Sequence, residues 1–205
     1  KVPQSSHALG VLASNFFNNP SKKIKLIGIT GTNGKTSTTY YLTSLFSSLI
    51  DKRVGMISTI ENQIYKDRFL SNYTTPDAVA INQLLSDMVD AGCQYCFMEV
   101  SSHAICQNRI SGLDFDIAVF TNLTRDHLDY HKSFKNYINT KKSFFDQLSP
   151  KATAIVNSDD DYGLAMLMDS PAGRHIKYGM RSDDCVYNAT ILQNNIDGLT
   201  LEFND

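Results

Sequence analysis

The residues from Gly28 to Thr36 combine types that bind phosphate groups when they occur in this order. They read Gly-Ile-Thr-Gly-Thr-Asn-Gly-Lys-Thr, and the glycines allow backbone N–H groups to close around phosphate oxygens. Lys35 adds a positive charge for the outer phosphates, and the Thr36 hydroxyl is of a type that reaches magnesium. Ile29 stands where the general P-loop template has glycine, so the segment is a variant, and a plain strand-to-helix turn is the alternative interpretation.

Polar and ionisable residues also follow two other apolar runs. Glu99 lies in the run at residues 97–100, residues 101–103 read Ser-Ser-His, and a loop rich in ionisable groups spans residues 121–131. Ligands of open α/β sheets lie beyond the carboxyl ends of strands, so we expect Glu99 to face the phosphate loop and His127 to approach a second magnesium ion. The simpler interpretations are an edge carboxylate paired with a lysine, a turn with a helix cap, and a solvated loop.

Hydrophobic periodicity predicts which elements position these segments. Strands are predicted at residues 25–30, 53–58, 95–100, 116–120 and 152–156. Helices are predicted at residues 6–17, 36–50, 75–91 with Thr75 as its cap, 133–148, and from Asp159 onward. A hairpin over residues 60–70 and two antiparallel strands at residues 186–192 and 198–203 complete the pattern. Alternating strands and helices indicate an α/β fold: a P-loop-type, mostly parallel sheet with helices on both faces and a small antiparallel β element at the C-terminal end.

Composition restricts the class of protein. The chain has 205 residues, 42% of them hydrophobic and 20% charged, and a net charge of -2, which argues against binding to nucleic acid through electrostatics. No apolar stretch approaches the roughly 20 residues that span a bilayer. Four cysteines do not make a disulfide framework, and Cys93 and Cys96 are interpreted as packing residues. We therefore expect a cytoplasmic monomer that neither inserts into membranes nor binds nucleic acid.

Four segments, in this order and spacing, resemble the Mur ligases of peptidoglycan synthesis. They are TGTNGKTS at residues 30–37, TTPDA at 74–78, MEVSSHA at 98–104 and TNLTRDHLDYH at 121–131. The resemblance spans nearly the whole chain, and the last three segments are far more specific than the first. It implies an ATP-dependent amide ligase that adds the third amino acid, diaminopimelate or lysine, to UDP-MurNAc-L-Ala-D-Glu through an acyl phosphate.

The resemblance also implies a role for each matching residue. The nucleotide-binding set for ATP is Gly31, Thr32, Asn33, Gly34, Lys35, Thr36, Ser37 and Asn122. The residues implied to contact the UDP-MurNAc-dipeptide are Thr74, Thr75, Ser101, Gln107 and Arg109. The set implied to hold Mg²⁺ is Thr36, Glu99, His127 and, as a carbamate, Lys141, while Lys35, Lys141 and His127 are the expected catalytic residues. Tyr73 stands where some family members carry Asn, which leaves one substrate contact open.

Lys141 also has a simpler interpretation, because Lys141 and Lys142 on a helix are typical of a solvated face. A cationic lysine beside magnesium is unfavourable, whereas carbamylation by carbon dioxide converts the ammonium into an anion. The modification is therefore expected only through the resemblance.

The resemblance further implies a domain organisation. Residues 1–22 are expected to end an N-terminal UDP-binding domain, residues 23–205 to form the central ATP-binding domain, and the amino-acid-binding domain to lie beyond Asp205. On its own, the chain is expected to bind nucleotide weakly and to ligate little. Two other functions stay open: a folylpolyglutamate synthetase-like ligase, and a non-catalytic nucleotide-binding module.

Overall fold

The computed structural model describes residues 1–126, 128–181, 185–196 and 198–204. The helices are α1 (Ser5–Phe16), α2 (Lys35–Ser48), α3 (Ala78–Asp90), α4 (Ser102–Cys106), α5 (Leu128–His131), α6 (Phe134–Asp146) and α7 (Gly163–Leu167), with a 3₁₀ turn at Pro20–Lys22. The strands are β1 (Lys25–Thr30), β2 (Val54–Ile57), β3 (Glu61–Ile64), β4 (Asp67–Leu70), β5 (Tyr95–Glu99), β6 (Ile117–Phe120), β7 (Thr153–Asn157), β8 (Arg174–Gly179), β9 (Tyr187–Asn195) and β10 (Gly198–Asn204).

Across the described residues, the strands form one sheet in the order β10-β9-β8-β7-β6-β1-β5-β2-β3-β4. The central strands, from β2 to β9, pair in parallel, while β3 and β4 at one edge and β10 at the other are antiparallel to their neighbours. Parallel strands need longer crossover connections, usually helical, because a tight turn cannot join them. The predicted fold class, including the antiparallel C-terminal element and the hairpin near residues 60–70, is confirmed.

Helices cover both faces of the sheet. Ile27 and Ile29 of β1 point to one face, where they form a buried cluster whose partly buried neighbours include Leu42 and Phe46 of α2. Leu26, from the alternate position in β1, belongs to the larger cluster on the other face, with residues from α3, α4, α6 and α7. Alternate residues of a strand point to opposite faces, so a strand buried on both faces is apolar almost throughout. This arrangement leaves the carboxyl ends of the strands free to carry polar groups.

Two predicted details are wrong, and one strand was missed. The cap of α3 is Asp77, whose carboxylate accepts hydrogen bonds from two backbone N–H groups in the first turn, and Thr75 instead bonds to the end of β5. No helix opens at Asp159, since α7 begins at Gly163 and the Asp159 carboxylate accepts from backbone N–H groups at residues 180 and 181. Strand β8 was not predicted, because its charged residues interrupt the apolar pattern that identifies a buried strand.

The N-terminal helix packs on the rest of the chain. A Cβ atom at Gly10 of α1 would lie 2.5 Å from the carbonyl oxygen of Ser111, so the helix approaches that backbone closely. The domain boundary between residues 22 and 23 stays a prediction. No helix in the described ranges has the length and apolar character needed to cross a bilayer.

Candidate functional site

The phosphate-binding loop lies between the carboxyl end of β1 and the start of α2. Gly34 caps α2 with φ of 81°, in the left-handed region that favours glycine. A Cβ atom at Gly31 would lie 1.9 Å from the Thr121 Oγ1 atom, so a larger residue does not fit there. The glycines therefore have geometric roles, and the loop has the strand-to-helix position that the sequence predicts.

Lys35 extends back across this loop. Its ammonium group donates to the carbonyl oxygens of Gly31, at 2.9 Å, and of Thr32, at 2.8 Å. Burial lowers the pKa of Lys35 below its ordinary value, while the charges of Glu99 and Asp126 oppose that shift. The side chain is thus held over the loop.

Asn122, which follows β6, fixes the loop from the neighbouring strand. The Asn33 backbone N–H donates to its Oδ1 atom at 2.9 Å, and its Nδ2 group donates to the Asn33 carbonyl oxygen at 3.1 Å. The Thr121 hydroxyl donates to the same carbonyl at 2.7 Å. Asn122 therefore contacts the loop itself, a role the sequence did not specify. Ser37 lies exposed in the first turn of α2.

Thr36 and Glu99 come together at the ends of β1 and β5. The Thr36 hydroxyl donates to Glu99 Oε2 at 2.9 Å, although Glu99 is completely buried. Thr59, which follows β2, donates its backbone N–H to Oε1 at 2.8 Å and its hydroxyl to Oε2 at 3.1 Å. A buried carboxylate is retained only where such donors compensate its desolvation. Sequence reasoning missed Thr59, since an exposed threonine after a strand carries no special signal.

The donor set fits magnesium better than a softer metal. A carboxylate and a hydroxyl are oxygen ligands, and Mg²⁺ commonly takes one or two protein ligands together with water and substrate phosphates. In the part of the chain that the structure describes, no group of three or more His, Cys, Asp or Glu residues is arranged to hold a metal ion. His127, another of the four predicted metal residues, lies outside the described residues. An ion beside Thr36 and Glu99 would thus depend on phosphate and water for most of its coordination.

Lys141 does not lie on a solvated face. Its side chain is 1% exposed, and its ammonium donates to the Gly31 carbonyl oxygen at 2.9 Å. It also lies 4.9 Å from the centroid of the Tyr137 ring. Burial, helped by the positive charge of Lys35, lowers the pKa of Lys141 from 10.5 to about 7, while Asp126 opposes the shift. The structure therefore places Lys141 beside the phosphate loop.

The predicted substrate residues line the same region. The lining of a cavity of about 270 Å³, the substrate-side cavity, includes Lys35, Lys141, Thr74, Thr75, Ser101 and Arg109. An adjoining cavity of about 360 Å³ is lined by Gln107 and shares Tyr73 and Arg109 with the first. All five predicted substrate residues thus lie in one connected region next to the phosphate loop.

Hydrogen bonds arrange these residues. Arg109 donates to the Thr75 carbonyl oxygen at 2.7 Å and to the Gln107 Oε1 atom at 2.6 Å. The Thr75 hydroxyl donates to the Glu99 carbonyl oxygen at 2.8 Å. Ser101 caps α4, because its hydroxyl accepts a hydrogen bond from the backbone N–H of residue 104. The helix-cap interpretation of this segment is therefore correct, and Ser101 also lines the cavity. The Arg109 Nε atom also donates to Gln107 Oε1, at 3.0 Å, so the guanidinium group is fixed in orientation at the cavity.

Two further neighbours were missed from the sequence. His131 is buried and its Nε2 atom lies 2.9 Å from the Ser102 hydroxyl oxygen, while its ring centroid lies 5.0 Å from that of Tyr137. The Tyr137 hydroxyl lies 3.2 Å from the Thr32 Oγ1 atom. Helical spacing between Tyr137 and Lys141 was the available signal, because residues four apart share a helix face.

Cys93 and Cys96 are buried with free thiols, which agrees with a packing role.

The domain is an α/β domain of the P-loop type. This follows from the topology of the sheet, the glycine-rich loop after β1 and the polar residues at the carboxyl ends of the strands. Residues 29–205 match the model of the Mur ligase middle domain. The UDP-N-acetylmuramoyl-L-alanyl-D-glutamate–2,6-diaminopimelate ligase of Cytophaga hutchinsonii is 52% identical over 172 residues, covering 84% of this chain and 35% of that protein. The ligase of the same name from Parabacteroides distasonis is 45% identical over 203 residues, covering 99% of this chain and 41% of that protein. The chain belongs to the Mur ligase family.

Solved structures agree with membership of the Mur ligase family. A structure of a UDP-N-acetylmuramoyl-L-alanyl-D-glutamate–2,6-diaminopimelate ligase superposes with a TM-score of 0.86 at 28% identity, covering 98% of this chain and 42% of that one. Folylpolyglutamate synthase from Mycobacterium tuberculosis, complexed with ADP, has a TM-score of 0.74 at 17% identity over 97% of this chain and 51% of that one, which shows a shared fold alone. The chain spans 35% and 41% of the two curated relatives.

Proposed function

We propose that this chain is the central domain of an ATP-dependent ligase that adds diaminopimelate to UDP-MurNAc-L-Ala-D-Glu. The observation that carries the proposal is the contact at 2.9 Å between the Thr36 hydroxyl and buried Glu99, next to Lys35, which lines the substrate-side cavity. A phosphate loop alone would fit many nucleotide-binding proteins. The names of the relatives supply the reaction and favour diaminopimelate over lysine as the added amino acid.

The nucleotide half of the site would hold ATP with Mg²⁺. The loop from Gly31 to Ser37 presents backbone N–H groups and the positive end of α2 to phosphate oxygens. Thr36 and Glu99 would hold one magnesium ion and His127 would lie at a second, and the bound metal would offset negative charge on the phosphates. Lys35 adds a cation next to the position of the outer phosphates.

The implied reaction forms an amide bond in two displacements. A carboxylate oxygen of the dipeptide attacks the γ-phosphorus, the bond to ADP breaks, and an acyl phosphate results. The amine of diaminopimelate then attacks the acyl carbon, phosphate leaves, and the amine gives up a proton. This chain would orient the carboxylate through Arg109, Thr74 and Ser101, and would stabilise charge on the transferring group through Lys35.

Lys141 is proposed to act as a carbamate. A lysine that is 1% exposed and makes contact with the phosphate loop would carry an unfavourable positive charge next to Lys35. Its lowered pKa of about 7 provides neutral amine near physiological pH. The amine nitrogen would form a bond to the carbon of CO₂ and lose a proton, which leaves an anionic carbamate with oxygens facing the site.

The domain organisation, the location and the oligomeric state are proposed from membership of the Mur ligase family. Residues 1–22 would end a preceding UDP-binding domain, and a domain beyond residue 205 would select the amino acid. The protein would act as a monomer in the cytoplasm. A folylpolyglutamate synthetase-like activity has less support, since the neighbours of that name share the fold at low identity.

Phosphate release from ATP by the full-length protein tests the proposal. The assay combines UDP-MurNAc-L-Ala-D-Glu with diaminopimelate, lysine or no amino acid, and includes a folate-polyglutamate arm. Phosphate release should require both the nucleotide-sugar peptide and diaminopimelate. It should disappear in the Lys35→Ala variant. It should persist in the Lys142→Ala variant, which serves as a surface control on α6. Release with the folate substrate, or nucleotide binding without release in every arm, would replace the ligase assignment by one of the two alternatives.

A further inference from the structure

One hydroxyl group lies between the nucleotide half and the substrate half of the site. Thr59 Oγ1 lies 3.1 Å from Glu99 Oε2 and 3.1 Å from Thr74 Oγ1, and the Thr36 Oγ1 atom lies 3.5 Å away. Thr36 and Glu99 belong to the proposed magnesium site, whereas Thr74 lines the substrate-side cavity. Thr59 therefore joins the side chains of these two groups, in addition to the hydrogen bond from the Thr75 hydroxyl to the Glu99 carbonyl oxygen.

The direction of the hydrogen bonds follows from the charges. A threonine hydroxyl has one proton to donate and can accept two further bonds. The carboxylate of Glu99 only accepts, and a charged acceptor makes the stronger bond, so the Thr59 proton goes to Glu99. The Thr59 hydroxyl also faces the Thr74 Oγ1 atom as a donor, so its single proton has two acceptors within reach, of which the Glu99 carboxylate is the stronger. The result is one hydroxyl group that bridges Thr74 and Glu99.

We propose that Thr59 is a positioning residue that couples the magnesium acid Glu99 to the substrate-side hydroxyl of Thr74. This inference rests on the proposed function, and it assigns a role to a residue outside the nucleotide, substrate and metal sets that the sequence predicts. The Thr59 hydroxyl fixes the rotation of the Glu99 carboxylate from one side, while its backbone N–H fixes the other oxygen at 2.8 Å. The same hydroxyl holds Thr74 against the end of β5.

Substitution at this position isolates the hydroxyl group. Valine has nearly the shape of threonine and keeps the backbone N–H that donates to Glu99, so Thr59→Val removes only the bridging hydroxyl. Thr59 is exposed, which makes the change compatible with folding. Thr59→Ser keeps the hydroxyl and serves as the conservative variant. Thr190→Val, at an exposed position of β9 near the far edge of the sheet, is the matched control.

The first experiment measures equilibrium binding and needs no turnover. A fluorescent ATP analogue is titrated into the full-length protein at a series of magnesium concentrations. We expect Thr59→Val to raise the magnesium concentration that gives half-maximal binding by about tenfold, the size expected for one hydrogen bond to a charged group. Thr59→Ser should stay within about twofold of the wild type, and Thr190→Val should match it.

The second experiment measures coupling to the substrate half. The KM for UDP-MurNAc-L-Ala-D-Glu is determined for Thr59→Val, for Thr74→Val and for the double variant. Residues that act through one hydrogen bond give non-additive effects, so the double variant should raise KM little more than Thr74→Val alone. Thermal unfolding of all variants should fall within a few degrees of the wild type.

The outcomes separate this inference from the function on which it rests. If the wild type binds the analogue without any dependence on magnesium, the proposed nucleotide–magnesium site is wrong. If the wild type depends on magnesium and Thr59→Val behaves identically, only the role of Thr59 is refuted. Strictly additive effects of the two valine substitutions on KM would refute the coupling, and equal damage by serine and valine would indicate a purely structural position.

Discussion

Replacing Lys141 by methionine should change how the stability of the protein depends on pH. Lys141 is 1% exposed and is affected by the positive charge of Lys35, and these surroundings lower its pKa from 10.5 to about 7. Methionine has a similar length and no charge, so it can fill the same space. The unfolded chain keeps the ordinary lysine pKa, and between pH 7 and pH 10.5 it therefore binds a proton that the folded protein has released.

The sign of the effect follows from this difference in bound protons. Stability rises with pH wherever the unfolded state binds more protons, with a slope of up to about 1.4 kcal/mol per pH unit for one group. Below pH 7 both states hold the proton and the penalty of the buried charge is fully present; it is relieved as pH rises toward the unfolded pKa. From pH 6 to pH 8.5, Lys141 should thus add about 2 kcal/mol to the stability of the wild type.

The assay compares urea unfolding of the wild type, Lys141→Met and Lys142→Met at pH 6 and pH 8.5, in buffers purged of carbon dioxide. Lys141→Met should exceed the wild type in stability at pH 6, and its advantage should shrink by about 2 kcal/mol at pH 8.5. Lys142, whose ammonium pairs with Asp146 near the surface, controls for the loss of a lysine from α6. Equal pH slopes for the wild type and Lys141→Met would refute the account of a buried cation.

Three other substitutions test separate contacts. Glu99→Gln keeps the shape of the side chain but removes its charge, and should weaken magnesium-dependent nucleotide binding by about tenfold or more, measured by fluorescence titration. Asn122→Ala removes both side-chain contacts to Asn33, and should raise the KM for ATP severalfold without changing the KM for the nucleotide-sugar peptide; parallel changes in both would contradict a local role. Gly31→Ala places a Cβ atom 1.9 Å from Thr121 Oγ1 and should lower the free energy of unfolding by about 1–3 kcal/mol, so an unchanged melting temperature would show that the loop relaxes freely.

The phosphate loop could be predicted from the sequence because its determinants are local. Gly34 needs a left-handed backbone and Lys35 begins a helix, and both requirements are visible in nine consecutive residues. The position of Glu99 was predictable for a related reason. A charged residue within a buried, apolar strand is costly unless it has partners, which indicates a site at the strand end.

Other parts of the site depend on tertiary contacts that the sequence does not display. Lys141 and Lys142 are adjacent and identical, yet one is buried and the other pairs with Asp146. The difference arises from the orientation of α6, whose buried side chains at Tyr137, Lys141 and Phe144 share one helix face. Periodicity could have placed Lys141 on that face, but only the packing of α6 against β1 explains why a cation is tolerated there.

The register of the parallel strands explains how distant segments form one site. Ile29 of β1 pairs with Glu99 of β5, and Ile57 of β2 pairs with the preceding residue of β5. The chain after β2 therefore passes beside Glu99, where the Thr59 N–H reaches its carboxylate. A shift of β5 by one residue would turn Glu99 to the opposite face of the sheet, away from Thr36. The apolar residues that fix this register, buried against helices on both faces, thus determine the position of the carboxylate as firmly as its own hydrogen bonds do.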